Sequence, residues 1–180
     1  AHMSVLGGLF QSLFKPIEPL YTLQHFHWRN DDASEAAATS ATSNTPNTTI
    51  TSLSKSTTKR LRVQVSNEGG TQQAYTAQQL RLEYGLNVTP CTAIASWTDV
   101  GAALGDWDMA NSTFITNGTD TSNIATSTGG MNDENHWFKG TGAALDTSSQ
   151  TASIAIPSHS FVEVEYAVQA TTAATDGATY

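Results

Sequence analysis

Four oxygen-bearing side chains, Asn30, Asp31, Asp32 and Glu35, fall within six positions. A calcium ion takes roughly six to eight oxygen ligands, so such a cluster has the right donor chemistry although its spacing is not that of an EF-hand. The competing reading is a turn in which Asx side chains bond their own backbone. Asp106 and Asp108, or Asp133 and Glu134, would be the sources of further oxygens.

His25 and His27 are two apart in an alternating segment, which places both imidazoles on one face of a strand, where they could share a metal ion. Only His136 and His159, far along the chain, could complete a zinc set, so two solvent-facing histidines is the simpler expectation. Glu163 and Glu165 have the same spacing and could imitate a glycosidase carboxylate pair, but solvated carboxylates on an outer strand face are expected instead. Cys91 lies in a Thr-Pro-Cys-Thr turn with no neighbouring base, and no G-x-S-x-G, H-E-x-x-H or phosphate-binding glycine loop occurs. The expectation is a protein that is not an enzyme. Trp107, Trp137 and Phe138 could form a stacking platform for sugar rings; otherwise they anchor an irregular loop.

The elements that must hold these residues are strands. Tyr21 to Trp28 alternates, with Phe26 and Trp28 on one face and His25 and His27 on the other. Lys59 to Ser66 points Leu61, Val63 and Val65 inward and Arg60, Arg62 and Gln64 toward water. Phe161 to Ala170 points Val162, Val164, Tyr166 and Val168 inward, with the two glutamates outward. Shorter strands are predicted at Gln78–Tyr84, Ala93–Val100 and Ala152–Ile156. The stretch from Ala33 to Thr49, built of Ala, Ser, Thr and Asn, reads as a surface loop too poor in bulky groups to pack tightly. Leu104 to Gly142 reads as an irregular excursion pinned by aromatic side chains. Many short strands separated by turns, with no interleaved helices, predict an all-β, antiparallel sandwich of immunoglobulin-like or jelly-roll type.

Ahead of the strands, Val5, Leu6, Leu9, Phe10, Leu13 and Phe14 recur at helical spacing until Pro16 and Pro19, so residues 4–20 are expected to form a short amphipathic helix. It would lie on the domain or serve as a docking or oligomerising segment. Ala1-His2-Met3 reads as a tag-removal scar, leaving residues 21–180 as the β domain. With 180 residues, one domain is the default. Eight basic against sixteen acidic residues give a formal charge of −8, which opposes nucleic acid as a partner. A membrane span of about 18 apolar residues is absent and Lys15 is the helix's only basic residue, so membrane binding is not expected. Twenty-seven Thr and 18 Ser make a quarter of the chain hydroxylated, a composition typical of extracellular β proteins.

Several phrases occur in order along the chain: Trp28-Arg29-Asn30-Asp31-Asp32 with Ser34-Glu35; Lys59-Arg60-Leu61-Arg62 leading to Val65-Ser66-Asn67-Glu68-Gly69; Leu82-Glu83-Tyr84; Trp97-Thr98-Asp99-Val100; and Phe161-Val162-Glu163-Val164-Glu165-Tyr166 through Gln169-Ala170-Thr171. Together, over about Gln24 to Tyr180, they resemble a family of immunoglobulin-like β-sandwich modules of large secreted or cell-surface bacterial proteins. The resemblance implies architecture and an extracellular or cell-surface location, and brings no reaction or ligand with it. In similar modules Ala178-Thr179-Tyr180 runs on into a cysteine and a final strand, which would make Cys91 half of a bridge and leave an incomplete sheet edge near Tyr180. The expected role is a structural, adhesive or filament-building unit with protein partners or self-association, using the leading helix, Cys91 and the Tyr180 edge. The alternatives are a carbohydrate- or calcium-binding module, with surface glycans as partners, and a virion surface subunit.

Overall fold

The computed structural model describes residues 19–69, 77–131 and 137–180. Among them are nine strands: β1 (Tyr21–Asn30), β2 (Lys59–Asn67), β3 (Glu83–Tyr84), β4 (Thr98–Asp99), β5 (Trp107–Met109), β6 (Thr119–Asp120), β7 (Trp137–Phe138), β8 (Gly142–Leu145) and β9 (Ser160–Ala170). Among the described residues, helical structure is confined to two short 3₁₀ turns, Cys91–Ala93 and Thr126–Thr128. The chain is all-β. The predicted helix at residues 4–20, with Val5, Leu6, Leu9, Phe10, Leu13 and Phe14, lies almost entirely outside the described residues.

The three longest alternating segments form the frame. β1, β2 and β9 pair antiparallel in that order, with Trp28 opposite Leu61 and Leu61 opposite Tyr166. β8 and β7 join β9 in parallel, β5 pairs β9 antiparallel beyond them, and β6 closes against β8. A second, two-stranded sheet pairs β3 with β4. The apolar core gathers Val63, Val65, Val162, Val164, Tyr166 and Val168 from the large sheet against Val100, Ile154 and Ile156, with Leu80, Leu82 and Tyr84 packed on its margin. Period-two alternation therefore places the valines as expected.

Six expectations need correction. The large sheet is mixed and not purely antiparallel, since β7 and β8 pair β9 in parallel. The predicted strand at Ala152–Ile156 is reduced to the isolated bridge of Ile154 with Gln78. The excursion from Leu104 to Gly142 contributes strands β5, β6 and β7, and β8 begins at its end. β8 was illegible because Gly142-Ala143-Ala144-Leu145 does not alternate: three of its four residues are buried because both sides are covered. The predicted strand at Gln78–Tyr84 is reduced to isolated bridges, Gln78 with Ile154 and Arg81 with Gln150, before β3. The predicted strand at Ala93–Val100 is a 3₁₀ turn followed by the two-residue β4. Most consequential, the second face of the large sheet does not meet water. Arg60, Arg62, Gln64, Glu163 and Glu165 are all 0% exposed.

That second face is covered by chain that looked too poor to pack. The 33–49 loop runs along the outer edge of β1, with Asn30 N donating to Thr39 O at 2.8 Å, Ala41 N to Trp28 O at 2.9 Å and Asn47 N to Phe26 O at 2.7 Å. Small side chains are what this position requires. With nothing bulky in the way, backbone carbonyls of Ala33, Ser34 and Ala38 come within hydrogen-bonding distance of guanidinium groups on the sheet. Gly129 makes a similar approach from the other side. Its φ of 83° is left-handed, and a Cβ there would stand 2.7 Å from the Arg29 side chain, so glycine is the residue that lets Thr128 O accept from Arg29 Nε at 3.1 Å.

Candidate functional site

Two features stand out, one on each face of the β1-β2-β9 frame: a buried ionic lattice and an open aromatic cleft.

The lattice is set by strand register. Arg29 is opposite Arg60 across β1 and β2, and Arg62 is opposite Glu165 across β2 and β9. Arg29 Nη1 donates to Glu165 Oε2 at 2.5 Å, Arg62 Nη1 to the same oxygen at 2.6 Å, and Arg60 Nη1 to Glu165 Oε1 at 3.2 Å. Arg62 Nε donates to Glu163. The covering loops supply the remaining anions. Asp31 accepts from Arg60 at 2.6 Å and Glu35 from Arg62 at 2.5 Å. Three guanidinium groups thus meet four carboxyl groups in a region withdrawn from water, where each unpaired charge would cost several kcal/mol, of order 3–5 when one partner is removed.

The titration behaviour follows from these neighbours. Burial pushes the Glu163 carboxyl above its ordinary range despite Arg62, and its Oε1 has no hydrogen-bond partner. Burial acts on Glu35 the same way, but bonds from Arg62 and Ser122 N outweigh it and hold its carboxyl below the usual value. Burial alone would weaken the Arg62 proton; Glu163, Glu165 and Glu35 together hold it above the ordinary guanidinium value. Gln64, opposite Glu163, is buried with both amide atoms unpartnered, which makes this corner the least satisfied part of the lattice.

The oxygen cluster at Asn30–Glu35 is bound into this network. Asn30 Oδ1 accepts from Lys59 Nζ at 2.6 Å, Asp31 Oδ1 from Arg60 Nε and Ser112 Oγ at 2.7 Å each, and Asp32 from Thr39 N and Oγ1 at 2.9 and 2.5 Å. Asp32 is not in an Asx turn but ties down Thr39, seven residues on, through its amide and hydroxyl; Asp31 and Glu35 serve arginines. Among the described residues, no group of three or more His, Cys, Asp or Glu side chains is placed to hold a metal ion.

His25 and His27 do share a face, opposite Gln64 and Arg62, but they do not converge and His27 does not face solvent. Its Nδ1 lies 3.2 Å from Gly130 O and its Nε2 2.8 Å from Ser40 Oγ. A carbonyl can only accept, so Nδ1 carries the proton and the Ser40 hydroxyl donates to Nε2. Ser40 Oγ in turn accepts from the Thr42 and Asn44 amides, so a neutral His27 pins the 33–49 loop. Burial, reinforced by Arg29 and Arg62, lowers its pKa. His25, half-buried, meets Asn47 at 2.8 Å. His136 lies outside the described residues.

The cleft occupies the other face, at the end of the frame where β1 finishes. It has a volume of about 310 Å³ and is walled by Trp28, Leu61, Leu82, Tyr84, Trp107 and Tyr180, with Ile94 and Trp97 on the side of the small sheet. Trp28 and Trp107 lie 6.0 Å apart at 32°, and Tyr180 meets Trp107 edge-on at 6.0 Å. The Tyr180 hydroxyl donates to Asp106 Oδ2 at 3.0 Å, while the Tyr84 hydroxyl accepts from Asp106 N at 2.7 Å. These bonds fix both rings, leaving apolar faces toward the cavity. The Trp107 indole N–H is buried and has no acceptor among the described residues. Trp97 is 49% exposed, and Leu86 and Val88, flanking the lining residue Asn87, are exposed as well.

The predicted aromatic trio is divided. Trp107 lies in the cleft, pairing with Ala170 at the end of β9; Trp137 and Phe138 pair with Ser160 and Phe161 at its start. Trp137 is 76% exposed and Phe138 packs edge-on against Phe161 at 5.5 Å. Sequence reasoning missed Trp28 and Trp97 as partners of Trp107, because strand register, not proximity in the chain, brings them together. Tyr180 lies in the cleft wall, and the neighbouring Thr179 O accepts from Asn87 N at 2.8 Å. Cys91 begins the first 3₁₀ turn. Comparison with protein-family models, with curated proteins and with solved structures finds no match.

Proposed function

We propose that the chain is a non-catalytic extracellular surface module, a sandwich of immunoglobulin-like or jelly-roll type, that acts as a structural, adhesive or filament-building unit and makes its contacts through the aromatic cleft. One contrast supports the reading. Glu163 and Glu165, which could have imitated an acid–base pair, are buried and committed to arginines, whereas a cleft walled by aromatic rings is left open. Aromatic residues that combine a large apolar area with a polar tip are the usual anchors of recognition surfaces. The hydroxyl-rich, acidic composition supports an extracellular setting.

A second reading, a carbohydrate-binding module, is favoured by the tilted Trp28–Trp107 pair with Trp97 nearby, a surface on which sugar rings could stack. Both readings use the same cleft. The test is self-association and oligosaccharide binding of the full chain, measured before and after Trp97→Arg. Loss of one of the two in the variant is expected; identical behaviour of variant and parent would refute the cleft as the contact site.

A further inference from the structure

Resting on the cleft as contact site, we infer that it binds a quaternary ammonium group, a cation whose nitrogen is fully alkylated, carried by a small solute. Three observations carry this.

The first is the walls. Five aromatic residues, Trp28, Tyr84, Trp97, Trp107 and Tyr180, line one cavity of about 310 Å³, with room equivalent to about ten water molecules. Their rings stand at different angles around it. Trp107 lies at 32° to Trp28 and at 87° to Tyr180, each 6.0 Å away, and Tyr84 meets Tyr180 at 73° and 5.9 Å. Rings so spaced can share one cation within the roughly 6 Å over which a ring face attracts it. The walls are also held in place by the fold. Asp106 fixes both tyrosine hydroxyls, through its amide and its carboxylate. Gly85 lets the chain that carries Trp97 close against β3, since a Cβ there would stand 2.7 Å from Ile94 Cγ2 and 3.2 Å from Ser96 O.

The second is charge. Among the described residues, no lysine, arginine or histidine lines the cleft, whereas Glu83 does. Asp99 lies opposite Glu83 across β3 and β4, and Asp106 stands behind the two tyrosines. Arg81, half exposed, pairs with Glu83 at 2.7 Å and reaches Asp99 at 4.0 Å, so among these side chains three carboxylates meet a single guanidinium. Lys59, beyond Leu61 on the same strand face, is tied to Asn30 Oδ1 at 2.6 Å. On a chain of net charge −8, this arrangement favours a cation over an anion.

The third is the scarcity of hydrogen-bonding groups. The Trp107 N–H is buried, the tyrosine hydroxyls are engaged by Asp106, and Glu83 is engaged by Arg81. A sugar brings many hydroxyls and a primary ammonium three N–H donors, and each needs a partner once it leaves water. A quaternary ammonium brings charge without donors, and its alkyl groups pack on ring faces.

The experiment titrates the full chain with choline and with 3,3-dimethyl-1-butanol, which has the same shape with carbon in place of the charged nitrogen. Calorimetry is the readout, because it does not depend on Trp97 as a reporter. Choline should bind with a Kd of about 1 mM or below, at least about tenfold more tightly than the alcohol. Trp97→Leu, at a position 49% exposed, keeps an apolar side chain and removes a ring. It should weaken choline about fivefold or more and leave the alcohol within about twofold, and Trp97→Phe should restore most of the loss. Circular dichroism establishes that each variant keeps the β spectrum of the parent; Trp97→Met replaces Trp97→Leu should that variant fail. Equal affinity for the two ligands, or no binding of choline, overturns the inference. Phosphatidylcholine vesicles distinguish the source of the group: the chain should stay in the supernatant, and sedimentation with vesicles that choline reverses would overturn the small solute in favour of a lipid headgroup. Failure of this inference is separable from failure of the cleft reading. If choline does not bind but Trp97→Arg still abolishes self-association or oligosaccharide binding, the cleft remains the contact site with another occupant; if Trp97→Arg changes neither, the cleft reading falls as well.

Discussion

Replacing Arg62 by methionine is the sharpest perturbation of the frame. Arg62 is 0% exposed and its guanidinium serves Glu163, Glu165, Glu35 and the Ser122 carbonyl at once. Methionine keeps much of the volume and removes every donor. The variant would leave two guanidinium groups against the lattice's four carboxyl groups, so the loss is that of a broken buried pair, about 3–5 kcal/mol. Against a total of roughly 5–15 kcal/mol for a domain, this is a large fraction, and for a chain of this length it corresponds to a fall of about 6–20 °C in Tm. Glu163→Gln should cost much less, under about 1.5 kcal/mol, because burial already favours the neutral carboxyl and one of its oxygens is unpartnered. The double variant should recover about 1–3 kcal/mol relative to the sum of the singles. Urea denaturation with an unchanged m-value is the assay. A loss below about 1 kcal/mol for Arg62→Met, the magnitude of a surface pair, would refute the buried lattice.

Gln64→Met removes two buried, unpartnered amide atoms and should leave stability unchanged or raise it by about 1 kcal/mol in the same urea assay; a loss above about 2 kcal/mol would mean that the amide has partners. The depressed pKa of His27 fixes a sign: its neutral form is preferred by the fold, so its contribution is complete above the ordinary imidazole value of about 6.5 and is lost as pH falls through the lower folded value. Melting temperatures followed from pH 7 downward should therefore fall less steeply in His27→Asn than in the parent, an equal slope counting against the latch. Asn30, Asp31, Asp32 and Glu35 already accept hydrogen bonds from protein donors, so chelator or added calcium should leave the melting temperature unmoved, and a calcium-dependent rise would overturn that assignment.

Alternation was sufficient to find β1, β2 and β9, since valine and leucine at every second position can only serve a sheet with one greasy side. The same logic misassigned Arg60, Arg62, Glu163 and Glu165 to water, because period two reports that two faces differ and not what covers the second. A signal was available. Of the eight Lys and Arg residues, three are arginines in the two long strands β1 and β2, and paired glutamates recur in β9 at matching spacing, a pattern better suited to cross-strand neutralisation than to solvation. The capping function of the 33–49 loop was illegible for a different reason: its contribution lies in backbone carbonyls, which composition does not display. The cleft was half visible. Trp107 drew notice by type, but Trp28 and Trp97 join it through the register of β1 against β2 and the placement of the small sheet, neither of which is written in the spacing of aromatic residues. Trp137, grouped with Trp107 by proximity in the chain, ends at the other end of β9.

The four tryptophans also provide the most direct measurement of where this module makes its contacts. In a nitrogen-15 spectrum each indole N–H gives its own resonance, and Trp28, Trp97 and Trp107 line the cleft while Trp137 stands at the far end of β9. On raising the protein concentration, the Trp97 and Trp107 resonances should shift together and the Trp137 resonance should stay in place. A shift confined to Trp137, or cleft resonances that remain fixed while the molecule associates, would contradict the account.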